Sequence, residues 1–144
     1  MEVKSSLFER SLITKTERYI TDRVILLSLE YPQIIYCLKI KVGEDRMESL
    51  DDNDIKERII PDKKDIRDIT ELFKHSVAIY ERDYAYQKIF IKDCAIKIQL
   101  KFYDFIVQLT NTYKTVNLYV NNNNDCLYLF SGDNFLGAIM AIKE

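Results

Sequence analysis

Apolar and polar residues alternate in two different ways along this chain, and the two patterns predict its secondary structure. Residues 88–91 and 95–100 alternate with period two, which indicates two strands joined by a tight turn. Residues 101–113 instead place their apolar side chains at helical spacing, on one face. Three further alternating runs follow, separated by turns rich in Asn and Gly: 115–120, 126–130 and 135–142. The C-terminal part therefore predicts a strand, a helix and three strands.

A similar order of elements is predicted near the N-terminus. Residues 2–5 favour a short strand and residues 6–20 favour an amphipathic helix. Two β-rich runs, 23–31 and 33–42, predict adjacent antiparallel strands. The predicted fold class is therefore α+β, with a strand–helix–three-strand unit used twice. The helices 6–20 and 101–113 should lie on one face of an antiparallel sheet.

The middle of the chain differs from both ends. Residues 43–58 are strongly charged and predict an exposed loop, while Ile59 and Ile60 favour a short strand. A helix is predicted from Pro61, since proline suits a first helical turn. The whole chain is interpreted as one domain, 1–144, with a charged insertion at about 43–85.

Composition narrows the class of protein. Hydrophobic residues make up 47% of the 144 residues, which is enough for a packed core. The formal charge is −2, so any nucleic-acid contact must come from a local patch or from an assembly. The start of the chain does not resemble a signal peptide, and no apolar run is long enough for a membrane span. Three scattered cysteines, Cys37, Cys94 and Cys126, predict reduced and mostly buried thiols in an intracellular, reducing compartment.

Catalytic and metal-binding patterns are absent from the sequence. The only histidine, His75, has no evident orienting partner in the sequence. The acidic run at 51–54 fails the calcium-loop pattern because Lys56 stands where Gly is required. The 17 Tyr and Phe residues are better explained by core packing than by base stacking. We therefore expect a binding protein that is not an enzyme, with no catalytic residue, metal or cofactor.

Three stretches of the chain resemble one domain of a DNA sliding clamp of the proliferating cell nuclear antigen type. IFIKDCAIKIQLKFYDFIVQL resembles the clamp segment in which two strands lead into an inner helix rich in Phe and Tyr. LYLFSGDNFLGAIMAIKE resembles clamp C-termini, and VKSSLFERSLI resembles the first strand and helix. The resemblance covers residues 2–42 and 86–144, whereas 43–85 is longer and more charged than the family's crossover. A clamp protomer has two or three such domains, so a fragment, a single-domain relative and one part of a larger ring all stay open.

The resemblance implies where DNA would lie. Clamp helices line a ring and face duplex DNA, which weak phosphate contacts hold without sequence reading. Carried over to this chain, the DNA-facing residues are Arg10, Arg18, Lys101 and Lys114. The second helix also exposes Asp104, so a merely solvated face is an equally good interpretation.

The resemblance also implies protein contacts. The end of the last clamp strand borders a pocket for client peptides, which here points to Met140 and Ile142. The alternative is that both side chains complete the core of the domain. Unpaired sheet edges further predict association with a protein partner or with a second copy.

Two functions follow as hypotheses. The first is a non-enzymatic, clamp-like accessory or scaffold subunit in DNA replication or repair, with weak, sequence-independent DNA contacts. The alternative is a small viral or bacterial inhibitor or immunity-type protein that binds a single protein partner.

Overall fold

The described part of the chain contains two antiparallel sheets and three helices with described bounds. The computed structural model describes residues 7–8, 13–31, 34, 51–113 and 115–142. The strands are β1 (Thr14–Lys15), β2 (Tyr19–Thr21), β3 (Ile25–Ser28), β4 (Ile66–Asp68), β5 (Val77–Tyr80), β6 (Ala85–Ile91), β7 (Cys94–Gln99), β8 (Asn117–Asn121), β9 (Cys126–Ser131) and β10 (Asn134–Met140). The helices are α1 (Asp52–Arg58), α2 (Thr70–Lys74) and α3 (Leu100–Thr112), and Lys63–Asp65 forms a 3-10 turn. The predicted α+β class is confirmed.

The large sheet has the strand order β1-β2-β3-β10-β9-β8-β4, with every neighbouring pair antiparallel. Both faces of this sheet are covered by other elements. The residues of its central strands are therefore apolar whether they point to one face or to the other. On β9, Leu127 and Leu129 belong to the core on one face, while Tyr128 and Phe130 belong to the core on the other. A strand buried on both faces reads as a continuous apolar run.

The small sheet and α3 cover one face of the large sheet. The small sheet has the order β5-β6-β7, and its inward residues Ile89, Ile96 and Ile98 join the same core as Leu118 of β8. The buried residues of α3 are four of those placed inward by sequence: Phe102, Phe105, Ile106 and Leu109. The strand–helix–three-strand unit predicted for the C-terminal part is therefore confirmed from β7 to β10.

The short helix α1 covers the opposite face. Its Ile55 is fully buried and packs with Tyr128 and Phe130. Asp51 caps the helix, since its side chain accepts a hydrogen bond from the Asp54 amide at 2.8 Å. The large sheet is thus the middle of three layers.

The helix predicted at 6–20 is wrong over its described part, because residues 14–15 and 19–21 are strands. The Thr16 amide donates to the Tyr19 carbonyl at 2.8 Å, and the Tyr19 amide donates to Thr16 Oγ1 at 3.0 Å. β-Branched residues such as Ile13, Thr14 and Ile20 favour strands. The predicted duplication, with two helices on one face, is therefore not found in the described residues.

The strand predicted at 23–31 is confirmed as β3, but its predicted neighbour is not. β3 lies between β2 and β10, and both of its edges are paired. The run 33–42 lies outside the described residues except for Ile34, which is fully buried.

The predicted insertion at 43–85 contributes regular elements. Its described part supplies α1 where an exposed loop was predicted, and Ile60 donates to the Ile55 carbonyl at 3.2 Å instead of forming a strand. The helix predicted from Pro61 is replaced by the 3-10 turn, β4, α2 and β5. β4 pairs with β8, and this non-local pairing outweighs the local helical pattern.

Candidate binding surface

The outward face of the small sheet carries an unusual set of side chains. Strand alternation directs Ile89 and Ile91 of β6 into the core, so Tyr86, Lys88 and Phe90 point outward. The register places Lys88 opposite Lys97 of β7. We define the aromatic–lysine face by the residues that share this side and the ring stacked on it: Val77, Ile79, Tyr84, Tyr86, Lys88, Phe90, Ala95 and Lys97.

Tyr86 forms the rigid centre of this face. Its ring stacks on Tyr84, with centroids 5.6 Å apart and planes 27° apart, and Lys97 Nζ lies 4.8 Å from its centroid. Its hydroxyl donates to the Glu81 carboxylate at 3.0 Å. Burial and this carboxylate raise the pKa of the Tyr86 hydroxyl, so it remains a neutral donor. Tyr86 is only 4% exposed, and these contacts fix its ring in place.

Two rings on the face are open to solvent. Tyr84 is 52% exposed and Phe90 is 50% exposed. Lys88 Nζ lies 5.2 Å from the Phe90 centroid, within the range of a cation–π contact. Open aromatic rings beside ammonium groups can stack with a planar ligand while the ammonium groups hold an anion.

The strands of this face carry positive charge, beside the Glu81 carboxylate that accepts a hydrogen bond from the Tyr86 hydroxyl. β5, β6 and β7, all of whose residues the structure describes, contain no Asp or Glu. The nearest carboxylates in sequence lie in the connecting turns, at Glu81, Asp83 and Asp93. Lys88 and Lys97 are directly opposite each other, and Lys97 Nζ also lies over the Tyr86 ring.

Of the predicted DNA-facing residues, the two that the structure describes, Arg18 and Lys101, lie apart. Arg18 lies in the β1–β2 turn, where its amide donates to Asp52 Oδ1 at 3.2 Å. The groove beside it, of about 490 Å³, is also lined by Glu17 and Asp51, which would repel phosphate. Lys101 lies at the start of α3, on the other side of the large sheet, with its Nζ 5.2 Å from the Phe102 ring. Arg10 and Lys114 lie outside the described residues.

The two residues predicted to line a client-peptide site, Met140 and Ile142, lie in different surroundings. Met140 packs against the core on the α1 side and lines an apolar groove of about 140 Å³ together with Val24, Ile59 and Cys126. The Ile142 amide instead donates to the Lys97 carbonyl at 2.8 Å, next to the small sheet. Met140 therefore lines a groove that does not include Ile142.

No cluster of His, Cys, Asp and Glu side chains suited to a metal ion occurs among the described residues. No described helix is long and apolar enough to cross a membrane. Cys126 is buried and Cys94 is exposed, and Cys37 lies outside the described residues, so mostly buried thiols stay a prediction.

Comparison with known proteins returned no matching family, no similar curated protein and no similar solved structure.

Sequence reasoning missed the aromatic–lysine face because β6 is apolar in both phases. In AYQKIFI, either set of alternating residues could form the core. Lys88 shares its phase with Tyr86 and Phe90, and Lys97 occupies the matching phase of β7. Lys88 was the available signal for the outward phase, but the neighbouring Gln87 is polar and buried in the inward phase, which obscures that signal.

Proposed function

We propose that this protein is a non-enzymatic accessory protein that binds single-stranded nucleic acid through the aromatic–lysine face. The observation that supports the proposal is the presence of two half-exposed rings, Tyr84 and Phe90, near Lys88 and Lys97, on a sheet whose strands contain no Asp or Glu. The Glu81 carboxylate near these rings is held by the Tyr86 hydroxyl. Net charge does not decide against it, because the positive charge is local.

The physical basis is stacking combined with phosphate attraction. Each base–aromatic stack contributes about 1–3 kcal/mol and tolerates any base, since every base has a π face. Each ammonium can pair with one phosphate, which makes binding dependent on salt. Sequence-independent binding is therefore expected.

Single strands suit this face better than duplex DNA. In a duplex the base faces are already stacked, so Tyr84 and Phe90 could contact only edges or backbone. The clamp-like role on duplex DNA remains a prediction, and the separation of Arg18 from Lys101 weakens it.

The test is fluorescence anisotropy with labelled homopolymer oligonucleotides, since the chain has no Trp to report binding. A single strand should bind more tightly than a duplex of equal length. Tyr84→Ala and Phe90→Ala should each weaken binding by roughly 5- to 150-fold, the range expected for one lost stack. Lys88→Glu with Lys97→Glu should also lower the steepness of the salt dependence, by about 0.7 for each lost phosphate contact.

Matched controls separate this face from general charge effects. Lys56→Glu with Lys64→Glu changes the net charge equally, at exposed positions in α1 and beside β4. Leu72→Ala truncates another exposed apolar side chain, which is 40% exposed on α2. If these controls weaken binding as much as the face variants do, or if duplex binds as well as single strand, the proposal is wrong.

The groove at Met140 supports a second candidate function, binding of a protein partner through one apolar side chain. Its volume of about 140 Å³ and its lining by Ile59 and Val24 fit such a side chain. The double variant Met140→Ser with Ile142→Ser distinguishes binding of a partner at this groove from packing of the two side chains in the core. A fall of roughly 2–5 kcal/mol in the free energy of unfolding would indicate core packing. Unchanged stability with lost capture of short displayed apolar peptides would support the groove.

A further inference from the structure

We propose that two copies of this chain pair in antiparallel fashion through β5. β5 is the end strand of the small sheet, and no strand described in the structure pairs with its other side. Its sequence, Val-Ala-Ile-Tyr, has no charge, Pro or Gly. Proteins normally protect such edges with charged residues, prolines or bulges, because a bare edge pairs with another strand.

The backbone groups that would pair can be identified. The Glu81 amide donates to the Tyr84 carbonyl at 2.8 Å, which makes 81 and 84 a hydrogen-bonded pair. Hydrogen-bonded and non-hydrogen-bonded pairs alternate along an antiparallel ladder. Ile79 and Val77 therefore bond to β6, and the N–H and C=O groups of Ala78 and Tyr80 point to the open edge.

These groups set the register of the dimer. A two-fold axis at Ile79 places Ala78 opposite Tyr80 of the second copy, and Tyr80 opposite Ala78 of the second copy. Each of these two pairs exchanges both of its backbone hydrogen bonds. A two-fold contact of this kind is closed and cannot propagate into a fibre.

The side chains are complementary in this register. Tyr80 is 76% exposed and would cover the small, exposed Ala78 of the second copy. The two Ile79 side chains would meet across the axis. Lys74 precedes the strand and pairs with Glu71 of its own copy at 2.9 Å, so the pairing of the two copies depends on the backbone bonds and on the side chains of β5.

Dimerisation would also join the two small sheets into one. If the proposed nucleic-acid function holds, the two aromatic–lysine faces would become one continuous surface for a longer strand. Self-association does not depend on that function, and mass measurements test it without any oligonucleotide.

The experiment is sedimentation velocity of the full chain over a series of concentrations. The wild type should shift from 17.1 kDa toward twice that mass as concentration rises. Ile79→Lys places two ammonium groups together at the axis and should keep the protein monomeric. Ala78→Pro removes an outward N–H without removing a bond to β6 and should weaken association at least tenfold.

Gln108→Lys is the matched control, since it adds the same side chain at an exposed position of α3. It should dimerise as the wild type does. The proposal is overturned if the wild type stays monomeric at its highest concentration. It is equally overturned if Ile79→Lys, with an unchanged circular dichroism spectrum, dimerises as strongly as the wild type.

Discussion

At the scale of single residues, the two described cysteines differ sharply in environment. Cys94 is exposed at the start of β7, whereas Cys126 is 7% exposed on β9. Burial raises the pKa of the Cys126 thiol to about 11, and the nearby Asp125 carboxylate adds to this, while Tyr128 partly offsets it by hydrogen bonding. Only the thiolate is nucleophilic, so Cys126 should be inert in the folded protein.

Alkylation tests this directly. In a Cys37→Ser background at pH 8, maleimide should label Cys94 and leave Cys126 unmodified. Ionisation alone leaves about 0.1% of the Cys126 thiol as thiolate at that pH, given its pKa of about 11. Mass spectrometry of peptides, with urea-unfolded protein as the control, would contradict the burial if both sites reacted together in native buffer.

Gly137 is required by a close backbone approach. A Cβ at this position would lie 2.6 Å from the Leu26 carbonyl oxygen of β3. The β10–β9 register shifts between Phe135 and Gly137, which marks a bulge beside this contact.

Gly137→Ala should therefore lower the free energy of unfolding by about 1–3 kcal/mol, because strands β3 and β10 must move apart. Gly132→Ala is the comparison, since its Cβ would meet nothing within 4 Å and its cost comes only from a φ of +64°. Urea denaturation of both variants measures the difference. A smaller loss at Gly137 than at Gly132 would contradict the close contact.

At the scale of elements, the sequence predicted strands and helices correctly where the turn residues and the apolar pattern indicate the same boundaries. β6, β7, α3 and the last three strands follow one another with short connections, and their alternation is regular. The N-terminal hairpin was missed because Phe8, Leu12 and Tyr19 fit a helical period. Period alone could not show that Thr16 closes a turn, or that β2 is buried at all three of its residues.

The exposed aromatic residues could not be assigned from the sequence for a related reason. Which phase of β6 faces the core depends on where α3 and the large sheet lie, and that is a non-local property. Arg18 was placed among the DNA-facing residues on the assumption of a first helix, and the described residues around it form strands instead.

Helix α1 gives a prediction at this scale. It has only seven residues, so its stability depends on the Asp51 cap and on the packing of Ile55. Asp51→Ala should lower the free energy of unfolding by about 1 kcal/mol, and Asp51→Ser should restore most of it. Thermal unfolding followed by circular dichroism measures both, and equal losses in the two variants would contradict the cap.

At the scale of the whole molecule, the described Lys and Arg residues considered for nucleic-acid binding lie in three separate places. Arg18 lies beside acidic residues next to α1, Lys101 lies on α3, and Lys88 and Lys97 lie on the small sheet. Phosphate contacts act together only when one backbone can reach them all.

The fourfold variant Arg10→Glu, Arg18→Glu, Lys101→Glu and Lys114→Glu therefore distinguishes two routes to nucleic acid. If the aromatic–lysine face binds, this variant should change single-strand affinity less than Lys88→Glu with Lys97→Glu does. Anisotropy at several salt concentrations, with duplex and single strand in parallel, compares them. Loss of duplex binding in the fourfold variant alone would instead favour the clamp-like contact.

Two ionisable side chains in the core on the α1 side make the free energy of unfolding depend on pH in the alkaline range. Cys126 and Tyr128 lie two residues apart on β9 in this core, and burial raises the pKa of both side chains. The thiol has an unfolded pKa of 9.0 and a folded pKa of about 11, so between these values the unfolded chain releases a proton that the folded chain retains. The free energy of unfolding must then fall as pH rises through that window.

The expected loss from Cys126 is about 3 kcal/mol in total, since each unit of pKa difference corresponds to about 1.4 kcal/mol, and about 2 kcal/mol of it falls between pH 9 and pH 11. Cys126→Ala should flatten this part of the stability curve, and the fall caused by Tyr128 above its unfolded pKa of 10.0 should remain. Urea midpoints from circular dichroism at half-unit pH steps measure the effect, with Cys94→Ala as the exposed control. Parallel curves for wild type and Cys126→Ala would mean that water reaches this thiol, and that the α1 layer does not seal the sheet.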